Sequence, residues 1–571
     1  MNTKILVRAE VLIITAILAF CSIVYELLLS NTLAIVTGNY IWWQSLTVGV
    51  YIGGLGLGAY YSDKLVDSFK SLMLVELGLS FLGTICVVYV YLFHGSYKYL
   101  DNLFFFTGDF YSSFYLQNQF LLKTVFFVTI QLLTLAIGIL SGFEIPLMMK
   151  ISDIKLGQSE ESEHFVLGVN YLGTLIGTIF FAYYFLPKLD VIKTSVTVAT
   201  LNLAVCVYIL IRYLPSKKAV YSGFVGVLVV LISLVGMNET NITQRYLKFF
   251  YYLPKILAQN NTDLDDLVRK VDSFKPIERM KSLYQYIDIF TYPTTEDGKV
   301  VDSTILTLDT NFQFNTTTEF FYHQAFAHVS IVMNKQVPKK ILLLGGGDGL
   351  LLRELLKYPE IESIKHIELD QKMINLARER FADLNQHSLD DKRVHVEIND
   401  GFYYIRNTHD KYDAVFIDFP YPNSYDLARL YSVEFYTYIR NVLNPNGFVV
   451  LDAPFYNRED YTKDRYQGHA VMTQVFNDRH IVSNSVIAST FYYAGFKSIF
   501  PYRVSDESFL FLKVEPGAID YNFMDRAELS KLNPQTIREM KEIKNQDFPY
   551  RIAQKYVNSI FKPTVAKRSE F

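Results

Sequence analysis

Apolar residues are spread one-sidedly along this chain, and that constrains its architecture before any motif is read. Seven runs long enough to cross a bilayer crowd into the first 240 of 571 residues, near 9–30, 41–62, 71–93, 120–149, 165–187, 191–213 and 219–237. After Met237 the chain turns polar. One sequence must therefore satisfy two solvents, as a multi-span helical membrane half followed by a water-facing half. The first run is too long for a secretory signal and lacks a small-residue cleavage site, so it reads as a first span.

The helical half carries an internal echo. Gly49, Gly54 and Gly58 match Gly168, Gly173 and Gly177, each pair 119 positions apart, and Glu26 precedes Glu144 by 118. Three spans repeated once must place the second copy inverted in the membrane. The two halves of such a repeat would be 1–95 and 120–213. Small residues that let membrane helices pack closely are the plainer explanation. An ionisable residue at membrane depth faces a partner or a water cavity, which singles out Glu26 and Glu144.

Basic residues set the expected orientation. Lys4, Arg8, Lys64, Lys70, Lys150, Lys155, Arg212, Lys217 and Lys218 fall on one side, and Lys98, Lys123, Lys188 and Lys193 on the other. The positive-inside rule then puts the N-terminus in the cytoplasm. Seven spans would leave the polar half outside, which conflicts with the cytosolic chemistry read below.

Composition excludes several classes. A net charge of -3 gives nothing for nucleic acid to bind. The 3 cysteines, Cys21, Cys86 and Cys206, sit inside apolar runs without metal-ligand spacing. No metal site and no disulfide framework is expected.

The polar half opens with an interfacial stretch, 245–257, inside a 241–280 linker. Period-two alternation over 281–335 predicts a small antiparallel sheet followed by a helix with a threonine cap near Thr317. From Ile341 strands and helices alternate over 336–520, predicting a parallel α/β, Rossmann-like sheet, with a helical tail over 521–571. Its first turn, Gly345-Gly346-Gly347-Asp348-Gly349, lets a ligand touch backbone at a helix N-terminus. Asp348 would repel a phosphate and suits a ligand with positive charge. Glu368, 23 positions after Gly345, is placed for ribose hydroxyls. Asp400 and Asp418 end the next two strands. The pocket is nucleoside-shaped and acidic, which fits a sulfonium nucleoside with a cationic second substrate, and Asp418 is placed to take a proton from an attacking amine.

The stretch from about Tyr284 to Val514 resembles the spermidine synthase family of polyamine aminopropyltransferases. The motifs that carry the resemblance are "YQYIDIF", "LDTNFQFNTTTEFFYHQAFAH", "LLLGGGDGLLLRE", "HIELD" and "NDGFYYI". Many apolar helices ahead of this domain resemble a membrane-bound bacterial branch of it. The resemblance implies decarboxylated S-adenosylmethionine as co-substrate and no permanent cofactor. It implies that Gln285, Gly345, Gly346, Gly347, Asp348, Glu368, Asp400 and Gly401 hold the nucleoside. Tyr322, His323, Asp348, Tyr421 and Tyr502 would line the amine side, with Asp418 as base. Asp348 would pair with the donor's ammonium and repel intact S-adenosylmethionine. Implied partners are polyamine, sulfonium nucleoside and membrane lipid, with a homodimer as an option. The implied location is the inner membrane with a cytoplasmic catalytic domain. The amine half departs from the family: Tyr421 replaces a second loop acid, Asp426 lies five residues further on, and Asp452 stands where a glutamine is usual. A sensor or transporter that retains the pocket, or another S-adenosyl-dependent transferase, remains an alternative.

Overall fold

The computed structural model describes residues 2–37, 40–106, 109–156, 160–257, 264–296, 298–420, 422, 425–452, 470–504, 507–516 and 550–564. The chain divides into two compact units, Met1–Lys281 with Asp288–Phe290 and Leu308–Asn311, and the remainder.

The first unit is helical. Its helices are α1 (Asn2–Thr37), α2 (Tyr40–Tyr61), α3 (Ser68–Phe106), α4 (Asp109–Leu156), α5 (Glu160–Phe180), α6 (Leu186–Lys188), α7 (Val191–Tyr213), α8 (Lys218–Met237), α9 (Glu239–Leu257) and α10 (Leu264–Ser273). Among the described residues, 6 segments are long and apolar enough to cross a membrane: Leu6–Thr37, Ser68–Leu100, Leu121–Leu156, Glu163–Lys188, Val191–Tyr213 and Pro215–Met237. The expected run 41–62 forms α2 and falls outside that set. Two of its glycines, Gly54 and Gly58, lie where it packs closely on α4.

That packing answers the repeat. A side chain at Gly54 would meet the Leu135 carbonyl and Gly138, and one at Gly58 the Ile139 carbonyl and Gly142. A side chain at Gly173 would meet the Ala16 carbonyl and Ala19, and one at Gly177 the Phe20 carbonyl and Ile23. Adding 119 to Gly54, Ala16 and Ala19 gives Gly173, Leu135 and Gly138, so α2 on α4 is the same contact as α5 on α1. Ser80 of α3 donates to the Ala199 carbonyl of α7 at 2.9 Å, again across 119 positions. The contacts fix the offset at 119, so the counterpart of Glu144 is Tyr25 and not Glu26.

The stretch 245–257 belongs to α9, whose Tyr246, Tyr251 and Tyr252 are buried. Tyr246 stacks on Tyr91 of α3 at 4.0 Å and hydrogen-bonds His94 at 2.8 Å. In the same unit Arg279 grips the fully buried Asp288 through two bonds of 2.7 Å, and Tyr251 donates to it at 2.6 Å.

Strands β1 (Glu278–Lys281), β2 (Tyr286–Glu296), β3 (Lys299–Leu308) and β4 (Asn311–Asn315) make a sheet in chain order. The next helix, Glu319–Gln324, has no side-chain cap from Thr317 or Thr318; Asn315 Oδ1 accepts from both backbone amides instead.

The second sheet holds β5 (Lys340–Gly345), β6 (Ser363–Glu368), β7 (Val394–Ile398), β8 (Tyr412–Asp418), β9 (Leu443–Asp452), β10 (Ser498–Val504) and β11 (Glu507–Lys513), in the order β10-β11-β9-β8-β5-β6-β7. Five strands are parallel, and β11 and β10 join antiparallel, so the sheet is mixed. Alternation explains its two cores. Ile341, Leu343, Ala414, Phe416, Phe448 and Val450 face one layer, and Leu342, Leu344, Val415, Ile417, Val449 and Leu451 the other. Both faces are covered, as parallel strands require. This is a Rossmann-like, methyltransferase-type fold. Of the expected tail, residues 550–564 are described, and they form a short 3-10 turn, Gln554–Tyr556, rather than a long helix. Asn558 anchors them to the carbonyls of Ala428 and Tyr431, both at 2.9 Å.

Candidate active site

The carboxyl ends of the parallel strands line up. Gly345 pairs with Asp418 across β5 and β8, and Ile417 with Leu451, so Asp418 and Asp452 end adjacent strands. Ligands bind in such sheets at this edge.

The glycine turn is built for contact. Gly345, Gly346 and Gly349 have φ of +80°, +69° and +79°, which side-chain-bearing residues avoid. A Cβ on Gly345 would lie 2.1 Å from the Asp418 carbonyl, one on Gly346 3.0 Å from Asp418 Oδ2, and one on Gly347 2.9 Å from Glu368 Oε2. The turn thus holds both acids against backbone. His366 fixes it from below: its Nε2 lies 2.8 Å from the Gly345 carbonyl, and burial lowers its pKa to about 4, so the neutral ring donates. Asp348 accepts from the Leu350 amide at 2.8 Å, and Asn385 holds the Asp348 carbonyl at 2.9 Å.

On the ribose side, Glu368 Oε1 accepts from the Asp370 amide at 2.9 Å. Burial, with Asp370 and Asp348 nearby, raises its pKa to about 7. Gln285 donates to Asp370 at 3.1 Å, which places it at this end of the pocket. Asp400 caps the helix Gly401–Asn407 through the Tyr403 amide at 2.8 Å and pairs with Arg429 at 2.5 Å. The Phe419 ring comes within 3.3 Å of a Cβ built at Gly345 and 3.2 Å of one at Gly401. It therefore lies between these two glycines, where a base plane can stack.

On the other side, Tyr322 donates to Asp418 Oδ1 at 2.7 Å. Burial and the charge of Asp348 raise the Asp418 pKa to about 6, against the opposing pull of Tyr322 and His323. Burial, Asp418 and Glu507 push Asp452 well above the usual aspartate range, and Tyr322 opposes that shift. Burial disfavours a charged His323, yet Glu319 at 2.8 Å, backed by Asp348 and Asp418, raises its pKa. Tyr502 is 1% exposed, stacks on Phe509 at 5.2 Å and donates to the Ala325 carbonyl at 3.3 Å, in the wall behind the site. Tyr421 and the side chain of Asp426 lie outside the described residues.

The structure therefore brings together Gln285, the glycine turn, Asp348, Glu368, Tyr322, His323 and Asp418. Phe419, His366 and the support network below them were missed. A buried histidine inside the strand "SIKHIEL" and an aromatic directly after Asp418 were the available signals. The network starts at Glu319, which takes Arg353 in two bonds of 2.9 and 3.0 Å. Arg353 also reaches Glu354 at 2.8 Å, and His328 joins Glu354 to Tyr358 through two contacts of 2.8 Å.

The family model described as "Spermine/spermidine synthase domain" matches residues 319–482. A polyamine aminopropyltransferase of Mycobacterium tuberculosis is 30% identical over 458 residues, covering 78% of this chain and 77% of the relative. One from Oceanobacillus iheyensis is 28% identical over 458 residues, covering 78% of each. Both matches cover more of this chain than lies after Lys281, so they reach into the helical unit. Among solved structures, spermidine synthase from Thermotoga maritima is 24% identical with a TM-score of 0.32, covering 49% of this chain and 82% of that one.

Proposed function

The chain belongs to the spermidine synthase family of polyamine aminopropyltransferases, and from that premise we propose that it moves the aminopropyl group of decarboxylated S-adenosylmethionine to an acceptor amine. One observation carries the assignment of roles: Asp348, Glu368 and Asp418 converge on a glycine turn that a side chain would fill. The ionised Glu368 accepts the ribose hydroxyls. Gln285 and Asp400 border the nucleoside, and Phe419 stacks on its base. Asp348 takes the ammonium of the donor's propyl arm. It repels a carboxylate there by a few kcal/mol, on the order expected at an effective dielectric of about 20.

The chemistry needs no permanent cofactor, because the sulfonium is already a leaving group. The acceptor's nitrogen lone pair attacks the propyl carbon beside sulfur. The carbon–sulfur bond breaks, its electron pair returns to sulfur, and methylthioadenosine leaves as a neutral thioether. Asp418 accepts the proton that the amine gives up, and Tyr322 holds that carboxylate in place.

The acceptor side is where this chain differs from its family. The loop acid is absent at Tyr421, but Asp452 supplies a second acid from the neighbouring strand end, beside Asp418 and Glu507. Asp452 holds the acceptor's distal ammonium, which favours a diamine or longer polyamine. The apolar helices of the first unit seat the protein in a bilayer, in contact with lipid, with the catalytic unit on the cytosolic side.

The test is the purified full chain with decarboxylated S-adenosylmethionine and a panel of mono-, di- and triamines, following methylthioadenosine by chromatography. Release is expected with at least one diamine and not with monoamines. Nucleoside binding without release on any amine would sink the reading.

A further inference from the structure

The helical unit holds a second acidic site that the transfer reaction does not use. Glu76 on α3 is 0% exposed and Glu144 on α4 is 3% exposed. The Glu76 carboxyl faces both the Glu144 carboxyl and the Asn202 amide on α7. Yet both Glu76 oxygens, one Glu144 oxygen and both polar atoms of the fully buried Asn202 lack a well-formed hydrogen bond. Neither carboxyl forms an ion pair among the described residues. The titratable groups that face them from other elements are Cys21 and Tyr25 of α1, Tyr51 of α2 and Cys206 of α7, none of them cationic.

The repeat shows that packing does not require these residues. At the offset of 119, Glu76, Glu144 and Asn202 correspond to Ser195, Tyr25 and Gly83. There the fold fills the same place with an aromatic ring against a glycine: a Cβ at Gly83 would meet the Tyr25 hydroxyl. One half of the repeat is thus closed by neutral packing, and the other is lined with two acids and an amide. Two carboxyls at this depth cannot both be ionised without a positive partner. Repeat interfaces are also where helical membrane proteins place coupling-ion and substrate sites.

We propose that Glu76, Glu144 and Asn202 form a cation-exchange site, protonated when empty and loaded by a primary ammonium, through which the helical unit carries polyamines in exchange for protons. An ammonium has three N–H donors and no acceptor, and the site offers three acceptor groups, one from each of three helices. Loading displaces one proton from a carboxyl, and unloading takes one back. The choice of cargo rests on the aminopropyl-transfer reading, since the catalytic unit handles the same amines.

The experiment uses the full chain in liposomes with a trapped pH-sensitive dye and no sulfonium nucleoside, so it is independent of transfer. Adding spermidine or putrescine outside is expected to shift the internal pH at least 5-fold faster than in empty vesicles. Glu76→Gln and Glu144→Gln are expected to abolish that shift while leaving methylthioadenosine release unchanged in the same preparations. On unaltered protein, a hydrophobic carbodiimide, which attacks protonated buried carboxyls, should label Glu76 or Glu144, and polyamine should suppress the labelling by mass spectrometry. Exchange that survives both substitutions, or labelling indifferent to polyamine, would overturn the proposal. A response to Na⁺ or K⁺ without a response to amines would overturn the ammonium assignment.

Discussion

At the residue scale, Asp418 stays protonated at a pH where an exposed aspartate would have ionised. Burial and the nearby Asp348 charge raise its pKa to about 6. In the proposed reaction the ionised form is the base, so kcat/KM for the donor, which reports the enzyme before the donor binds, should rise with pH through an inflection near 6. Once the donor binds, its ammonium neutralises Asp348 and its sulfonium adds positive charge, which removes one cause of the shift. The inflection in kcat should then fall below that in kcat/KM. Asp418→Asn should lower kcat by roughly 10²- to 10⁴-fold with donor binding retained. Initial rates from pH 5 to 8 check both points, and a variant with its pH profile and rate intact would remove Asp418 from the base role. Asp348, Glu368 and Asp418 were legible in the sequence because each breaks the chain's polarity directly after a buried strand. Asp452 was visible only as a departure from the family. Its place beside Asp418 depends on β8 and β9 being neighbours, which spacing alone does not reveal.

At the scale of elements, the helix Glu319–Gln324, which carries Tyr322 and His323, is held by charge rather than by length. Arg353 bridges Glu319 and Glu354 with a side chain only 7% exposed. Burial would raise the Glu354 pKa, but His328, Lys357 and Arg353 hold it at about 2, below its ordinary 4.5. A depressed carboxyl contributes stability that is complete above the unfolded pKa, and this one is lost as pH falls from 4.5 toward 2. Arg353→Met removes the cation that two buried acids share, leaving Glu319 with His323 and Glu354 with His328 and Lys357. Breaking a buried pair costs about 3–5 kcal/mol, and these remaining partners keep the loss toward the lower end. The variant should melt several degrees lower at pH 7 and lose activity through misplacement of Tyr322. Thermal unfolding at pH 7 and pH 4 checks this: the gap between variant and parent should narrow at the lower pH, and a gap that widened would contradict the argument. None of this network was legible, because Glu319 and Arg353 are 34 positions apart and each alone reads as a surface charge. The parallel strands were legible from their apolar runs. The antiparallel β10 and β11 were not, since a strand's direction leaves no mark on its pattern. On α2, two of the glycines that announced the repeat, Gly54 and Gly58, are the residues that pack closely on α4.

At the scale of the whole molecule, two sequence signals about orientation oppose each other. The larger group of lysines and arginines lies on the N-terminal side of the helical unit, which by the positive-inside rule is cytoplasmic. Yet α9, which leads toward the second unit, docks on α3 at Tyr91 and His94, close to Lys98 on the opposite side. In the proposed function the donor is a sulfonium nucleoside drawn from the cytosol, and the catalytic unit works in the compartment that supplies it. The substrate requirement outweighs the charge bias. Each misplaced lysine near an interface is a small term, of order 1 kcal/mol, whereas a catalytic unit outside has no donor at all. The expected topology therefore places the Lys98 and Lys188 side, and everything after α9, in the cytoplasm. A fluorescent protein fused after Phe571 should fold and fluoresce, and an alkaline phosphatase fused there should be inactive. A cysteine introduced at Lys64 should react with a membrane-impermeant maleimide on intact cells, and one at Lys188 should not. The reverse labelling pattern would restore the charge rule and would mean that the catalytic unit works on amines and nucleosides outside the membrane.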